Sequence, residues 1–162
     1  MIRFVRGNLF DSKVQTLVNA VNCVGVMGKG IAKEFRERWP HMFKAYQAAC
    51  RSGDVRIGRP FLWREGSRPI LNVPTKEHWR EPSRYEFVEA GLKAIRDNAR
   101  EWGLTSMALP ALGCGLGGLE WEKVRLLIVE YLGDLPIDIE VFEPVPTSAG
   151  RNPGSGGKLL RG

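Results

Sequence analysis

Histidine and cysteine are scarce in this 162-residue chain, with two of the first and three of the second. His41 and His78 lie far apart, and Cys23, Cys50 and Cys114 show no metal-ligand spacing. No HExxH or CxxC motif occurs, so neither a zinc site nor a metal-dependent hydrolase is expected. An odd number of cysteines excludes a complete disulfide frame and fits reduced thiols, hence a cytoplasmic location. No apolar run approaches the ~20 residues that cross a bilayer, and the start MIRFVRGNLF is no signal peptide. No membrane contact is expected. Acidic residues are missing from the tail, where Arg151, Lys158 and Arg161 supply half of the formal net charge of +6. The remainder is only mildly basic, compatible with a nucleic-acid partner without requiring one.

What the chain has is glycine in two places that matter. The first is LVNAVNCVGVMGKGIAKEFRER, Leu17 to Arg38, which runs from an apolar strand through Gly25, Gly28 and Gly30 into an amphipathic helix. Glycines let backbone approach a ligand closely, and a helix that follows them aims unpaired N–H groups and its positive dipole end at an anion. A P-loop is excluded, because Gly28-Lys29 is followed by Gly30 and the position five before Gly28 is Cys23. The second cluster, Gly113-Cys114-Gly115-Leu116-Gly117-Gly118, satisfies GxGxxG. Only one helix and one strand fit after it, too little for a Rossmann array. Two such loops, each leaving a strand and entering a helix, converge on one diphosphate if their strands are parallel neighbours.

In chain order, strands are expected at Ile2 to Val5, Thr16 to Val21, Pro60 to Trp63, Ile70 to Val73, Ser106 to Leu109 and Ile137 to Phe142, the third and fourth forming a hairpin. Helical spacing covers Ile31 to Trp39, stops at Pro40, and resumes from Met42 to Cys50. A Ser83/Glu86 capping box opens a helix ending near Trp102, with Gly103 as its stop, and a last helix spans about Glu120 to Leu132, closed by Gly133. This alternation predicts an α/β fold, a three-layer α/β/α sandwich with a mixed central sheet, over residues 1–144. Residues 145–162 have linker composition.

Gly7-Asn8-Leu9-Phe10, Val18-Asn19-Ala20-Val21-Asn22 and the two glycine loops together resemble the macrodomain family of ADP-ribose-binding modules. Gly28 to Ala32, Thr75-Lys76 and Gly113 to Leu116 are most similar to its branch of terminal ADP-ribose glycohydrolase and DarG-type antitoxins. The latter remove ADP-ribose from thymidine in single-stranded DNA. The resemblance implies a DNA ADP-ribosyl glycohydrolase, antitoxin to a cognate ADP-ribosyltransferase toxin, with ADP-ribose as ligand and no cofactor. An ADP-ribose hydrolase directed at proteins or small molecules, or a non-catalytic reader, is the alternative. It places Asn8 and Leu9 near adenine and Asn22 toward the distal ribose. Gly25, Val26, Met27, Gly28, Gly30 and Ile31 of the first loop, with Pro110, Leu112, Gly113, Cys114, Gly115, Leu116, Gly117, Gly118 and Leu119 of the second, surround diphosphate and ribose. Lys76 becomes the catalytic group. Two departures stand out: Asn8 replaces the usual aspartate, and Gly117 occupies the position of an aspartate in the protein-directed enzyme. In the polar loop after Lys76, His78, Trp79 and Arg80 either contact a nucleic-acid strand or, for Trp79, pack the loop onto the core.

Overall fold

The computed structural model describes residues 1–145; the linker assigned to 145–162 lies, apart from its first residue, outside them. Six strands form one sheet: β1 (Ile2–Val5), β2 (Thr16–Val21), β3 (Phe61–Trp63), β4 (Ile70–Pro74), β5 (Ser106–Leu109) and β6 (Asp138–Phe142), in the order β1-β6-β5-β2-β4-β3. All neighbours are parallel except β3, which folds back on β4 as the expected hairpin.

Parallel strands need crossovers, and the chain supplies them as helices on both faces. On one face, α1 (Gly30–Arg38) and α2 (Pro40–Arg51) cover a cluster that includes Leu17, Val21, Phe35, Met42, Tyr46 and Ile70. On the other, α3 (Tyr85–Asn98) and α4 (Trp121–Leu132) cover Val18, Leu71, Val73, Met107 and Leu109. Successive residues of β2, β4 and β5 thus feed opposite cores, the period-2 rule of a strand buried on both sides. The three-layer sandwich and mixed sheet are as the sequence predicts.

Two local expectations fail for identifiable reasons. Ser83 does not cap α3; Arg84 occupies the N-cap without a side-chain hydrogen bond, and the Ser83 hydroxyl is paired with Thr75 instead. The same helix stops at Asn98, and residues 99–103 form turns ending at Gly103, whose φ is +70°. Gly133 closes α4 after Leu132 as expected, with right-handed geometry (φ −60°, ψ −30°).

Gly91 packs α3 tightly against β4: a Cβ built there would lie 2.5 Å from Cγ1 of Val73. Gly91→Ala is therefore expected to destabilise the fold by about 1–3 kcal/mol through overpacking. Urea denaturation monitored by circular dichroism measures this, and an unchanged midpoint would refute the tight contact.

Candidate functional site

β2 lies between β4 and β5, paired with both in parallel: Leu17 is opposite Ile70 on one side and Ala108 on the other. The loops that leave these three strands therefore emerge at one end of the sheet. Loop 1 (residues 22–29) follows β2, loop 2 (110–120) follows β5, and loop 3 (75–84) follows β4.

Loop 1 is shaped by Asn22. Its Oδ1 accepts from the backbone N–H of Val24 (3.0 Å) and Val26 (3.3 Å), and its Nδ2 donates to Val26 O at 2.8 Å. The Tyr46 hydroxyl, 2.7 Å from Asn22 O and 3.0 Å from Oδ1, donates its single proton into this pair of acceptors. Burial raises the Tyr46 phenol well above its ordinary range, so the donor stays protonated. Next to it, Gln47 Nε2 donates to Gly25 O at 3.1 Å. Asn22, placed toward the ribose by resemblance, spends most of its amide on holding the loop. Tyr46 and Gln47 carry no local motif, and their partners lie more than twenty residues away, so no pattern in the sequence marks them.

The loop leads into α1, whose N-cap Lys29 makes no side-chain cap bond and whose first turn holds no acid. The opening N–H groups and the positive dipole end are thus left for an anion. Loop 2 differs from expectation. It passes through a 3₁₀ turn at Gly115–Gly117 before α4 begins at Trp121, with Glu120 at the N-cap and Glu122 in the first turn. That helix terminus already has acids beside it, so α1 offers the better anion site. Gly113, Gly115 and Gly118 take φ values of +77°, +67° and +84°, a run that side chains rarely tolerate.

The three loops touch. A Cβ on Gly30 would sit 3.4 Å from Cδ1 of Leu116, joining loops 1 and 2. Ser83 N–H donates to Gly117 O at 3.0 Å, and a Cβ on Gly117 would lie 2.4 Å from Ser83 Oγ, joining loops 2 and 3. The same Oγ is 3.1 Å from Thr75 Oγ1, both hydroxyls buried. Cys23 N–H donates to Glu77 O at 3.0 Å, and its thiol lies 3.7 Å from Lys76 O, joining loops 1 and 3.

Lys76, half-buried in this junction, has no ion-pair partner among the described residues, while Glu77 and Glu81 are exposed. Trp79 is 47% exposed, so it does not plug loop 3 onto the core. Asn8 caps a 3₁₀ turn at Leu9–Asp11 by accepting from Phe10 N–H at 2.9 Å, which leaves its amide NH₂ available as a donor. Leu9, Met27, Pro110 and Leu112 are buried and support the loops from beneath. Val26, Ile31, Cys114 and Leu119 are half-buried, and Gly28 and Leu116 are exposed. Among the described residues no three His, Cys, Asp or Glu side chains gather closely enough to hold a metal ion.

A model of the Macro domain family matches residues 18–128. The chain is 49% identical over 150 residues to a DNA ADP-ribosyl glycohydrolase of Thermus aquaticus, an alignment that covers 90% of this chain and 42% of the relative. The chain thus spans less than half the length of that curated relative. Among solved structures, the macrodomain of Thermus aquaticus DarG aligns with a TM-score of 0.85 at 49% identity, covering 89% of this chain and 99% of that one. Thermosipho africanus DarTG in complex with ADP-ribose aligns with a TM-score of 0.87 at 38% identity, over 95% of this chain and 43% of that one.

Two outcomes follow from the geometry. Desolvation pushes the Cys23 and Cys114 thiols up to about 11, with Cys50 and Glu77 adding to the effect at Cys23. Below that value the reactive thiolate is the minor form, so iodoacetamide modification at pH 7.5 should be slow and rise about ten-fold per pH unit until pH 10. Mass spectrometry of the labelled peptides reads this, and fast labelling at neutral pH would contradict it. Gly117→Ala should destabilise the domain by about 1–3 kcal/mol, with the loss reduced when combined with Ser83→Gly. A double-mutant cycle in urea that gave strict additivity would show that the two positions do not collide.

Proposed function

The chain belongs to the Macro domain family, and from that premise we propose that it is a DNA ADP-ribosyl glycohydrolase. In this reading it removes ADP-ribose from thymidine in single-stranded DNA and acts as the antitoxin to an ADP-ribosyltransferase toxin. The observation that carries the proposal is the delivery of both glycine loops and Lys76 to one end of three adjacent parallel strands. The naming of the Thermus aquaticus relative as a DNA ADP-ribosyl glycohydrolase supports the same reaction, and the ADP-ribose in the Thermosipho africanus complex supports the ligand.

Loop 1 and the N-terminus of α1 bind the diphosphate, because their N–H groups and dipole need an anion. Loop 2 closes over it from the other side with a backbone free of side-chain bulk at four glycines. Asn8 donates its amide hydrogens to adenine, and Leu9 supports the turn beneath it. Gly25 to Ile31 and Pro110 to Leu119 enclose the distal ribose, whose anomeric carbon faces Lys76.

Paired carboxylates usually cleave a glycosidic bond. Position 117 of loop 2 offers none, and Ser83 Oγ fills the space that a side chain there would need. The amine of Lys76 therefore attacks the anomeric carbon of the opened ribose, and the base leaves with a proton. Water then hydrolyses the resulting imine, which restores the amine and releases ADP-ribose. Cys114 takes no part as a nucleophile, because burial keeps it a thiol.

Lys76→Ala should lower turnover of an oligonucleotide carrying ADP-ribosyl-thymidine by about 10²-fold or more, a loss on the scale of removing a catalytic proton-transfer group. ADP-ribose affinity, measured by calorimetry, should stay within a few-fold. Turnover by mass spectrometry decides: full activity in the variant would remove Lys76 from the mechanism, and binding without any turnover in the parent would make the domain a reader.

A further inference from the structure

At this end of the sheet each loop exposes one large apolar side chain: Val24 in loop 1 at 46%, Leu116 in loop 2 at 69% and Trp79 in loop 3 at 47%. The other exposed large apolar side chains among the described residues lie on α4 or near the two ends. An indole left in water forgoes the burial that most aromatics obtain, yet Trp79 is held there by specific bonds. Glu81 N–H donates to His78 O at 3.0 Å, which closes a tight turn with Trp79 and Arg80 at its two central positions. Arg80 N–H donates to His78 Nδ1 at 3.2 Å and fixes the imidazole. That ring stacks on the indole with centroids 5.5 Å apart at 29°, and the Arg80 guanidinium carbon is 4.6 Å from the indole centroid. Both stems of the turn are anchored, by Cys23 to Glu77 and by Ser83 to Gly117.

We propose that this turn is a subsite for the unpaired nucleotide that flanks the modified one. The inference rests on the DNA-directed reading of the Lys76 site. The flanking base extends the stack formed by His78, Trp79 and Arg80, and Arg80 and Arg84 meet the backbone phosphates on either side of it. Stacking is the main contribution, because Lys76, Arg80 and Arg84 are largely balanced by Glu77 and Glu81 on the same loop. A flat aromatic surface accepts any base, so the subsite tolerates different flanking sequences. It rejects a duplex, whose bases already stack on one another. Because the turn is prebuilt, little ordering is lost when the strand binds. The domain thus recognises a modified strand by two adjoining features, ADP-ribose in the cleft and a neighbouring base on the rim.

The test compares the parent, Trp79→Ala and Trp79→Phe on two substrates, an oligonucleotide carrying ADP-ribosyl-thymidine and the corresponding modified mononucleotide. Trp79→Ala should lower kcat/KM on the oligonucleotide about ten-fold or more, while the mononucleotide and free ADP-ribose are handled within two-fold of the parent. Trp79→Phe should recover most of the loss. An equal fall on both substrates, or no fall on the oligonucleotide, overturns the subsite. If the parent cleaves neither substrate, the DNA-directed reading fails, and anisotropy with an unmodified single-stranded oligonucleotide decides the subsite separately. Weaker binding by Trp79→Ala there supports it, and equal binding overturns it.

Discussion

The site depends on β2 pairing in parallel with both of its neighbours. Leu17 stands opposite Ile70 and Ala108 at once, so three chain segments distant in sequence end side by side. If one of these strands ran the other way, its loop would open at the opposite end of the sheet, more than a strand length away. Parallel pairing in turn requires the crossover helices, and those helices bury both faces of β2. The apolar run Thr16 to Val21 is therefore as necessary to the loop cluster as the glycines are.

Much of this architecture is legible in the chain because it is written in local patterns. Strand limits at Ile2, Thr16 and Ser106 follow from apolar runs bounded by turn residues, and α1 begins at Gly30 as the glycine loop implies. The two glycine loops were recognisable for the same reason. The contacts that position them were not. Tyr46 and Gln47 act on loop 1 from a helix whose own spacing says nothing of that role. Ser83 imitates a helix cap in sequence, because a serine three residues before a glutamate is the usual signature. Its hydroxyl is drawn instead to Thr75, a partner that only the sheet brings near. Trp79 illustrates the remaining gap: composition alone left it equally suited to core and surface, and the turn at His78 to Glu81 resolves the choice.

The loops are tied to their neighbours through backbone carbonyls more than through side-chain pairs. Asn22 O, Gly25 O, Glu77 O and Gly117 O each receive a bond from another segment. The N–H groups of Cys23, Val24 and Val26 in loop 1 and of Cys114, Gly117, Gly118 and Leu119 in loop 2 are engaged in internal bonds as well. The opening turn of α1, by contrast, has no side-chain cap and offers its donors to a diphosphate. The stability of the loop cluster therefore draws on the loops' own backbone, and its capacity to bind an anion draws on the opening turn of α1.

The close packing of Ser83 on Gly117 also constrains descent. A side chain at 117 meets the Ser83 hydroxyl, so a lineage that gains one there must turn or shrink the side chain at 83, which releases the Thr75 hydroxyl while the backbone bond from Ser83 to Gly117 needs no side chain. A side chain at 117 and the present Ser83–Thr75 pairing thus compete for the same space.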